Sequence, residues 1–324
     1  MRRRMIYSAA PVVLLVVTAA WSARRLFPAP REAGYRFDDA WGHTGSGPGE
    51  FLQPIGIAIQ QDEVFVSDAG NNRIQVFSTS GRFLRAFGGE GDGPGDLGRP
   101  MHIAIRGRKL YVAEYLNDRI QLFSLLGEPL GMVGSHGSDP GQFDAPAGVA
   151  IDAEGRLYVA DFYNQRVQLL GPAGEPIRQY GSTGLRGLRA GGFNYPTDAA
   201  LLPSGSLVVA DAYNDRIQVF APDGAFRRKW GGPLAVNIPG GFHGWFNVAT
   251  GVAVDPAGSI FVADFYNHRI QKFTPEGEFL VALGEKGAGP GRLDRPTDLA
   301  VDDEGFLYVV DFGNDRIQKF APIR

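Results

Sequence analysis

Short apolar runs separated by glycine- and proline-containing turns follow one another along most of this chain. Runs such as Val64-Phe-Val66, Leu157-Tyr-Val-Ala160 and Ile260-Phe-Val-Ala263 are rich in β-branched and aromatic residues, and no stretch beyond residue 34 shows helical spacing of apolar positions. Near-continuous apolar runs are typical of strands that are covered on both faces. The pattern therefore predicts an all-β domain made of many short strands.

One motif recurs six times at the ends of these runs. It reads Asp-x-x-Asn-x-Arg-Ile-Gln with small variations, and its copies begin at Asp68, Glu114, Asp161, Asp211, Asp264 and Asp311. Successive copies start 46, 47, 50, 53 and 47 residues apart. A repeat of this length with four strands per unit is typical of propeller blades. We therefore expect a six-bladed β-propeller of four-stranded antiparallel blades.

Each unit contains the same four predicted strands. The first follows a proline in most units, as at Pro54 and Pro296, and the second is the apolar run before the motif. The third starts at the motif arginine, and the fourth follows a glycine turn such as that at Gly81. The sixth unit ends at Arg324 after its third strand, whereas residues 35–42 resemble an isolated fourth strand. The N-terminal strand should therefore complete the last blade and close the ring.

The repeat resembles that of a known family. The pattern (Val or Leu)-x-Val-Ala-Asp-x-x-Asn-x-Arg-Ile-Gln is similar to the NHL repeat, and the resemblance covers essentially all of residues 35–324. The resemblance implies the six-bladed fold. It implies little about activity, because the family includes sensor domains of membrane kinases, RNA- and protein-binding modules and the amidating lyase.

The N-terminal part of the sequence differs from the rest. We interpret residues 1–26 as a membrane anchor or signal segment, residues 27–34 as a linker and residues 35–324 as the propeller. An uncharged run from Met5 to Ala23 follows three arginines, and as one transmembrane helix it would extend about 28 Å. The arginine-rich end should stay in the cytoplasm, which puts the propeller in the periplasm or outside the cell. Small residues near Ala23 also allow cleavage, and the protein would then be secreted.

Charge and cysteine content exclude several kinds of function. Residues 33–324 hold 26 basic and 34 acidic residues, a formal net charge of −8. An acidic surface repels phosphate backbones, so we expect no nucleic-acid partner, although some NHL domains bind RNA. The chain has no cysteine, which excludes disulfides, thiolate metal ligands and a cysteine nucleophile.

The repeated polar residues are expected to serve the architecture. Asn suits the turn between the second and third strands, and Asp and Arg five positions apart can face each other across that hairpin. A set present in every blade is poorly suited to one active site. The residues assigned this structural role are Asp68, Asn71, Arg73, Glu114, Asn117, Arg119, Asp161, Asn164, Arg166, Asp211, Asn214, Arg216, Asp264, Asn267, Arg269, Asp311, Asn314 and Arg316.

Residues that differ between blades are the better candidates for a binding site. The turns after the second strands and the connections between blades should share one face, and the second residue after each opening proline should line the channel mouth there. Aromatic rings with polar side chains around a central pit suit a protein, peptide or polysaccharide ligand. The candidates are His102, Tyr115, Phe162, Tyr163, Asp198, Tyr213, Trp245, Phe265, Tyr266, His268, Asp298 and Phe312. The rings could instead simply pack between neighbouring turns.

Two connections between blades, 181–193 and 231–246, are longer than the others and should open onto the same face. The second is unusually apolar for a loop, with Leu234, Ile238 and Trp245 among its residues. Inserted loops of a repeat array often carry binding, so contact with a partner is one interpretation. Cover for the neighbouring blade, or for the channel, is the other.

The usual catalytic sets are missing. The amidating lyase that resembles this fold places zinc-binding histidines directly after the proline of the first strand. The corresponding residues here are Ile55, Met101, Ala147, Thr197, Thr250 and Thr297. His102 comes one position later and stands alone, so that activity does not carry over. We predict no cofactor and no metal, with calcium held by Asp198 and Asp298, near Glu114 or Asp161, as an alternative.

These observations favour an exported, membrane-tethered propeller that binds a protein, peptide or polysaccharide on the face with the long connections. They lean against an enzyme and leave the question open. The second hypothesis is a metal-dependent hydrolase or lyase with its site at the channel mouth.

Overall fold

The computed structural model describes residues 27–324, so the anchor or signal segment predicted for 1–26 lies outside the described residues. The described chain forms six four-stranded antiparallel sheets, and the first strands of neighbouring sheets contact one another in a closed ring. The prediction of an all-β, six-bladed propeller is confirmed. Within the described range, no helix is long and apolar enough to span a membrane.

The 24 strands of the described chain are numbered in chain order. Blade 1 comprises β2 (Pro54–Gln60), β3 (Glu63–Asp68), β4 (Arg73–Ser78) and β5 (Phe83–Gly88); blade 2 comprises β6 (Pro100–Arg106), β7 (Lys109–Glu114), β8 (Arg119–Ser124) and β9 (Pro129–Val133); blade 3 comprises β10 (Pro146–Ile151), β11 (Leu157–Asp161), β12 (Arg166–Leu170) and β13 (Pro176–Gly181). Blade 4 comprises β14 (Pro196–Leu201), β15 (Leu207–Asp211), β16 (Arg216–Phe220) and β17 (Phe226–Trp230); blade 5 comprises β18 (Ala249–Val254), β19 (Ile260–Asp264), β20 (Arg269–Phe273) and β21 (Phe279–Leu283); blade 6 comprises β22 (Leu299–Val301), β23 (Leu307–Asp311), β24 (Arg316–Pro322) and β1 (Tyr35–Trp41). Single 3₁₀ turns cover Ala69–Asn71, Ala212–Asn214, Pro233–Ala235, Phe265–Asn267 and Phe312–Asn314.

The ring closes through the N-terminal strand, as the sequence predicts. β1 pairs antiparallel with β24, and the register places Tyr35 opposite Pro322 and Trp41 opposite Ile317. The Trp41 ring also contacts Phe77 of blade 1. The last blade therefore contains both ends of the propeller sequence, and pairing covers an edge that would otherwise be exposed.

The core consists of one apolar cluster between each pair of adjacent blades. Between blades 1 and 2, for example, Phe65, Ile74, Val112 and Phe123 are fully buried. Burying such a side chain contributes about 1.5–3 kcal/mol. Because both faces of each sheet take part, the second strands are apolar at nearly every position.

The segment predicted as a linker, 27–34, packs against blade 5. The Phe27 ring lies edge-on to Phe242 at 4.8 Å and stacks on Trp245 at 6.1 Å between centroids. Arg31 pairs with Glu278 at 2.6 Å. The described chain therefore begins beside the long connection 231–246.

Candidate functional site

The acid of each repeated motif lies at the end of a second strand and is fully buried. In blade 4, Asp211 accepts hydrogen bonds from Arg216 Nε at 2.6 Å, Asn214 at 2.9 Å and Gln218 at 3.0 Å. The backbone N–H of Asn194, in the connection before the blade, donates to its other oxygen at 2.7 Å. Burial raises the pKa of Asp211 to about 6, against the lowering effect of Arg216. The four donors around the carboxyl group are arranged as a buried ion pair requires.

The motif arginine joins this hairpin to the connection that precedes the blade. Arg216 also donates to the backbone carbonyls of Leu188 and Gly192. Equivalent acid–arginine contacts of 2.6 to 2.8 Å occur in all six blades. All eighteen residues assigned a structural role lie in these six acid–arginine networks. Their contribution to stability stays a prediction.

Blade 2 accommodates a glutamate in place of the motif aspartate. Glu114 keeps the contacts with Arg119 and Asn117 and also accepts the N–H of Gly98 at 3.0 Å. A Cβ atom at position 98 would lie 2.5 Å from Asn117 Oδ1. Gly98 therefore leaves room for the Asn117 side chain beside Glu114.

The residue after each motif asparagine links its blade to the next. It adopts the left-handed conformation, and its side chain accepts the N–H of the residue that precedes the opening proline of the next blade, or Ala249 in blade 5. His268, predicted to be on the binding face, fills this role in blade 5, where Nδ1 accepts the N–H of Arg295 at 3.1 Å. Desolvation lowers the pKa of His268 against the effect of nearby Asp294. One hydrogen-bond acceptor side chain at this position of every repeat is the sequence signal for this role.

Aromatic residues from blades 2 to 4 form one continuous group, the tyrosine cluster, on the face that carries the motif turns. Its members are Tyr115, Phe162, Tyr163, Tyr195 and Tyr213. Phe162 stacks on Tyr195 at 4.7 Å, and the hydroxyl of Tyr115 donates to that of Tyr163 at 2.7 Å. Arg186, from the long connection 181–193, lies over the Tyr195 ring at 4.5 Å.

The tyrosine cluster is packed at its base and open to solvent at its surface. Tyr163 is 45% exposed and Tyr213 is 48% exposed, whereas Tyr115 and Phe162 are half-buried. Desolvation raises the pKa of both Tyr115 and Tyr213. Packing between turns thus accounts for the buried atoms of the cluster, whereas ligand contact by the exposed atoms stays a prediction. Tyr195 was missed because it directly precedes a proline and belongs to no repeat motif.

The other predicted aromatic residues lie in two separate groups. Phe265 contacts both Tyr266 and Phe312. Trp245 packs with Phe27 and Phe242, as described above. The face is therefore aromatic in three places, and the tyrosine cluster is the largest of them.

His102, Asp198 and Asp298, from three different blades, converge on the propeller axis. Their ligand-type atoms all lie within 4.8 Å of one another, with His102 Nδ1 3.1 Å from Asp198 Oδ1. Only about 4 to 5% of each residue is exposed. In contrast to the expectation of an open mouth, these three side chains are buried.

Glycine at the equivalent positions of the alternate blades makes room for the side chains of His102, Asp198 and Asp298. The corresponding positions in blades 1, 3 and 5 are Gly56, Gly148 and Gly251. A Cβ atom on Gly148 would lie 2.6 Å from Asp198 Cα, and one on Gly251 would lie 2.7 Å from Asp298 Cα. The inner ring therefore alternates glycine with a polar side chain around the axis.

A cavity of about 630 Å³ runs along the first strands from this inner ring. Asp198 and Asp298 line one end, and Arg106, Asp152 and Asp255 line the other, at the turns between first and second strands. Those turns lie on the face opposite the motif turns. The cavity thus extends from the inner ring toward the face opposite the tyrosine cluster.

Burial and the neighbouring charges shift the pKa values of His102 and Asp298. Desolvation disfavours the charged imidazole, but the Asp198 and Asp298 carboxylates outweigh it and raise the pKa of His102 to about 9. Desolvation raises the pKa of Asp298 to about 7. The backbone N–H groups of Ile57 and Val252 donate to Asp298 and Asp198, each at 2.9 Å.

The two acids proposed as further calcium ligands are engaged elsewhere. Glu114 pairs with Arg119 and Asp161 pairs with Arg166, each at 2.7 Å. Among the described residues, the groups that bring three metal-ligand side chains together are His102, Asp198 and Asp298, and, at the surface, Asp118, His136 and Asp144. Glu114 and Asp161 therefore lie in the motif networks and not in the group around Asp198 and Asp298, and calcium binding stays a prediction.

The class of protein follows from the closed ring of six blades: it is a six-bladed β-propeller. Five stretches match the NHL repeat, at residues 51–77, 143–168, 193–220, 246–273 and 293–320. The chain is therefore an NHL-repeat protein. The stretch of blade 2, with Glu114, is not among the matches, although the structure gives it the same fold. No curated protein matches this chain.

Several solved structures have a similar backbone. A structural genomics protein of unknown function from Bacteroides thetaiotaomicron has 16% identity and a TM-score of 0.69, over 89% of this chain and 76% of that one. A streptogramin B lyase has 16% identity and a TM-score of 0.61, over 88% and 98%. A gluconolactonase from Xanthomonas campestris has 14% identity and a TM-score of 0.63, over 92% and 100%. At these identities the likeness shows the fold alone.

Proposed function

We propose that this protein is an exported, membrane-tethered binding platform that holds a protein, peptide or glycan ligand against the tyrosine cluster. The observation that carries the proposal is the continuity of that cluster across three blades with two strongly exposed rings. Tyrosine supplies a large, rigid contact area with a polar tip, which is why it is enriched at binding hot spots.

The surroundings of the cluster favour a protein or peptide over a glycan. Leu116, Leu185 and Leu188 are each more than half exposed on the same face. Arg186 adds a positive charge beside Tyr195. Aliphatic side chains around aromatic anchors match the apolar side chains of a polypeptide, whereas a sugar needs more hydrogen-bonding groups.

The tether would place this face near the membrane. The described chain begins at Phe27, which packs beside the long connection 231–246 on the tyrosine-cluster side of blade 5. The apolar run from Met5 to Ala23 precedes it by only a few residues. A partner in the same membrane, or held close to it, is therefore within reach.

The test compares capture of a ligand by full-length protein and two double variants. Tyr163→Ala with Tyr213→Ala removes the two exposed rings, while Leu126→Ala with Leu130→Ala removes comparable exposed apolar surface from the outer edge of blade 2. We expect the tyrosine variant to retain less than about a tenth of the ligand captured from membrane extracts, since two hot-spot rings together contribute several kcal/mol. The leucine variant should capture as much as the parent.

Equal capture by the tyrosine variant and the parent would exclude this face. Digesting the extract with protease before capture distinguishes the ligand classes. Loss of the captured material indicates a protein or peptide, and its survival indicates a polysaccharide.

The alternative, a metal-dependent hydrolase or lyase working in the channel, draws support from the convergence of His102, Asp198 and Asp298 beside the cavity. Turnover of a gluconolactone or of a streptogramin B by the metal-loaded protein would favour this alternative.

A further inference from the structure

The inner end of the channel concentrates negative charge. Asp198 and Asp298 are both buried, and the charged group of the described chain that contacts them is the imidazole of His102. A buried carboxylate needs a paired charge or a metal ion, because removal from water otherwise costs several kcal/mol. A protonated His102 can balance one carboxylate, whereas a divalent cation balances both and leaves the imidazole neutral.

A nitrogen atom in this group has no hydrogen-bond partner. Within the described structure, His102 Nδ1 is buried and makes no hydrogen bond, although it lies 3.1 Å from Asp198 Oδ1. The contact has the length but not the alignment of a hydrogen bond. Buried polar atoms are nearly always satisfied, so an unsatisfied one that lies 3.1 Å from a buried carboxylate oxygen points to a missing ligand.

The spacing suits a metal ion. We propose that His102, Asp198 and Asp298 bind one divalent transition-metal ion, such as Zn²⁺ or Mn²⁺, at the inner end of the channel. The three ligand atoms lie within 4.8 Å of one another. A metal bonded at about 2.1 Å needs its ligands about 3 to 3.5 Å apart, so side-chain shifts of about 1 Å complete the site. The mixture of imidazole and carboxylate ligands favours these ions over Ca²⁺, which takes six to eight oxygens.

Backbone N–H groups hold the two carboxylates in place, as hydrogen-bond donors to the ligands do in metal sites. Ile57 and Val252 each donate a backbone N–H to one carboxylate, and Leu299 donates to Asp298 Oδ1 at 2.8 Å. Such bonds orient a ligand and leave its remaining lone pairs free. Both carboxylates also line the cavity, so the remaining coordination positions face the channel. The site is separate from the tyrosine cluster, and the proposal goes beyond ligand binding on that face.

The experiment uses the full chain in detergent, stripped of metal with a chelator and titrated with Zn²⁺ alone and, separately, with Co²⁺ as a spectroscopic probe. We expect about one ion per chain and visible Co²⁺ absorption typical of a nitrogen and oxygen ligand set. His102→Gln and Asp298→Asn should each weaken Zn²⁺ binding at least tenfold, and His102→Gln should change the Co²⁺ spectrum. His136→Ala, which dismantles the surface group, should bind as the parent does.

Melting curves of the metal-free variants show whether each one folds, and Asp198→Asn replaces any that does not. The proposal is overturned if the parent binds no stoichiometric Zn²⁺ or Mn²⁺, if it binds only Ca²⁺, if His102→Gln binds unchanged, or if His136→Ala abolishes binding. Ligand capture by the tyrosine cluster should be the same in the stripped and loaded protein, so failure of one proposal leaves the other intact.

Discussion

The propeller carries two rings of buried polar side chains with different symmetries. The outer ring repeats an acid–arginine pair in all six blades at nearly constant distance. The inner ring alternates, with polar side chains in blades 2, 4 and 6 and glycine in blades 1, 3 and 5. The first set is present in every blade, whereas three blades do without a side chain at the second. Polar residues that the fold does not need are the better candidates for chemistry.

The largest loss of stability is expected from a substitution in the outer ring. Asp161→Ala leaves Arg166 buried without its carboxylate and frees the connection that the arginine holds. Breaking a buried pair from one side costs about 3–5 kcal/mol. Asp303→Ala, at an exposed aspartate, serves as the control and should change stability by less than about 0.5 kcal/mol.

Denaturant unfolding of both variants measures this difference. A midpoint for Asp161→Ala equal to that of Asp303→Ala would mean that the repeated acid does not hold the blade together. The sixfold ring would then need a functional explanation.

A smaller loss of stability is expected when a glycine of the inner ring is replaced by alanine. A Cβ atom on Gly148 would meet the backbone at Asp198 Cα and at Thr197 O, 2.6 and 2.7 Å away, so blades 3 and 4 would have to separate slightly. Overpacking of this kind costs about 1–3 kcal/mol. Gly89→Ala is the matched control, because a Cβ atom there meets nothing within 4 Å. Thermal melting of the two alanine variants should differ by several degrees, and equal melting temperatures would show that the glycine ring is not needed for close approach.

The blades were predictable because each depends on residues close together in the sequence, and the closure was predictable because the N-terminal segment resembles the fourth strand that the last unit lacks. The motif fixes a hairpin and its turn, and residues 35–42 resemble the missing strand closely enough to indicate where they pair. For the inner ring, the sequence predicts which positions lie around the axis but not whether their side chains are buried. Whether Asp198 is exposed depends on Gly148 in another blade, and no single repeat contains that information.

The tyrosine cluster shows the same limit. Four of its five rings belong to motif turns and were predicted, whereas Tyr195 lies in a connection between blades. Its stacking on Phe162 depends on the rotation between blades 3 and 4. Contacts within a repeat can be read from the sequence, and contacts between unequal repeats cannot.

The smallest expected effect concerns His268, which belongs to a third set of residues joining one blade to the next. Its Nδ1 accepts the Arg295 N–H only while unprotonated, and its pKa is lowered in the folded protein through desolvation and the nearby Lys286 and Arg295, against Asp294. The pKa of histidine in the unfolded chain is about 6.5. The contribution of His268 to folding stability is therefore complete above that pH and is lost as the pH falls through the lower pKa of the folded protein. The loss should reach about 1 kcal/mol, the net worth of one hydrogen bond.

His268→Asn removes the titrating imidazole and keeps a hydrogen-bond acceptor at this position. Asparagine already accepts the equivalent N–H in blade 1, where Asn72 Oδ1 lies 2.8 Å from the N–H nitrogen of Arg99. Asparagine also tolerates the left-handed backbone found at both positions. Unfolding free energies measured above and below the histidine range should diverge for the parent relative to the variant, with the parent losing more stability at the acidic end. Parallel pH profiles would mean that protonated His268 keeps the link, for example through Asp294. The position would then tolerate charge of either sign, since Asp118, Asp215 and Asp315 already occupy it in other blades.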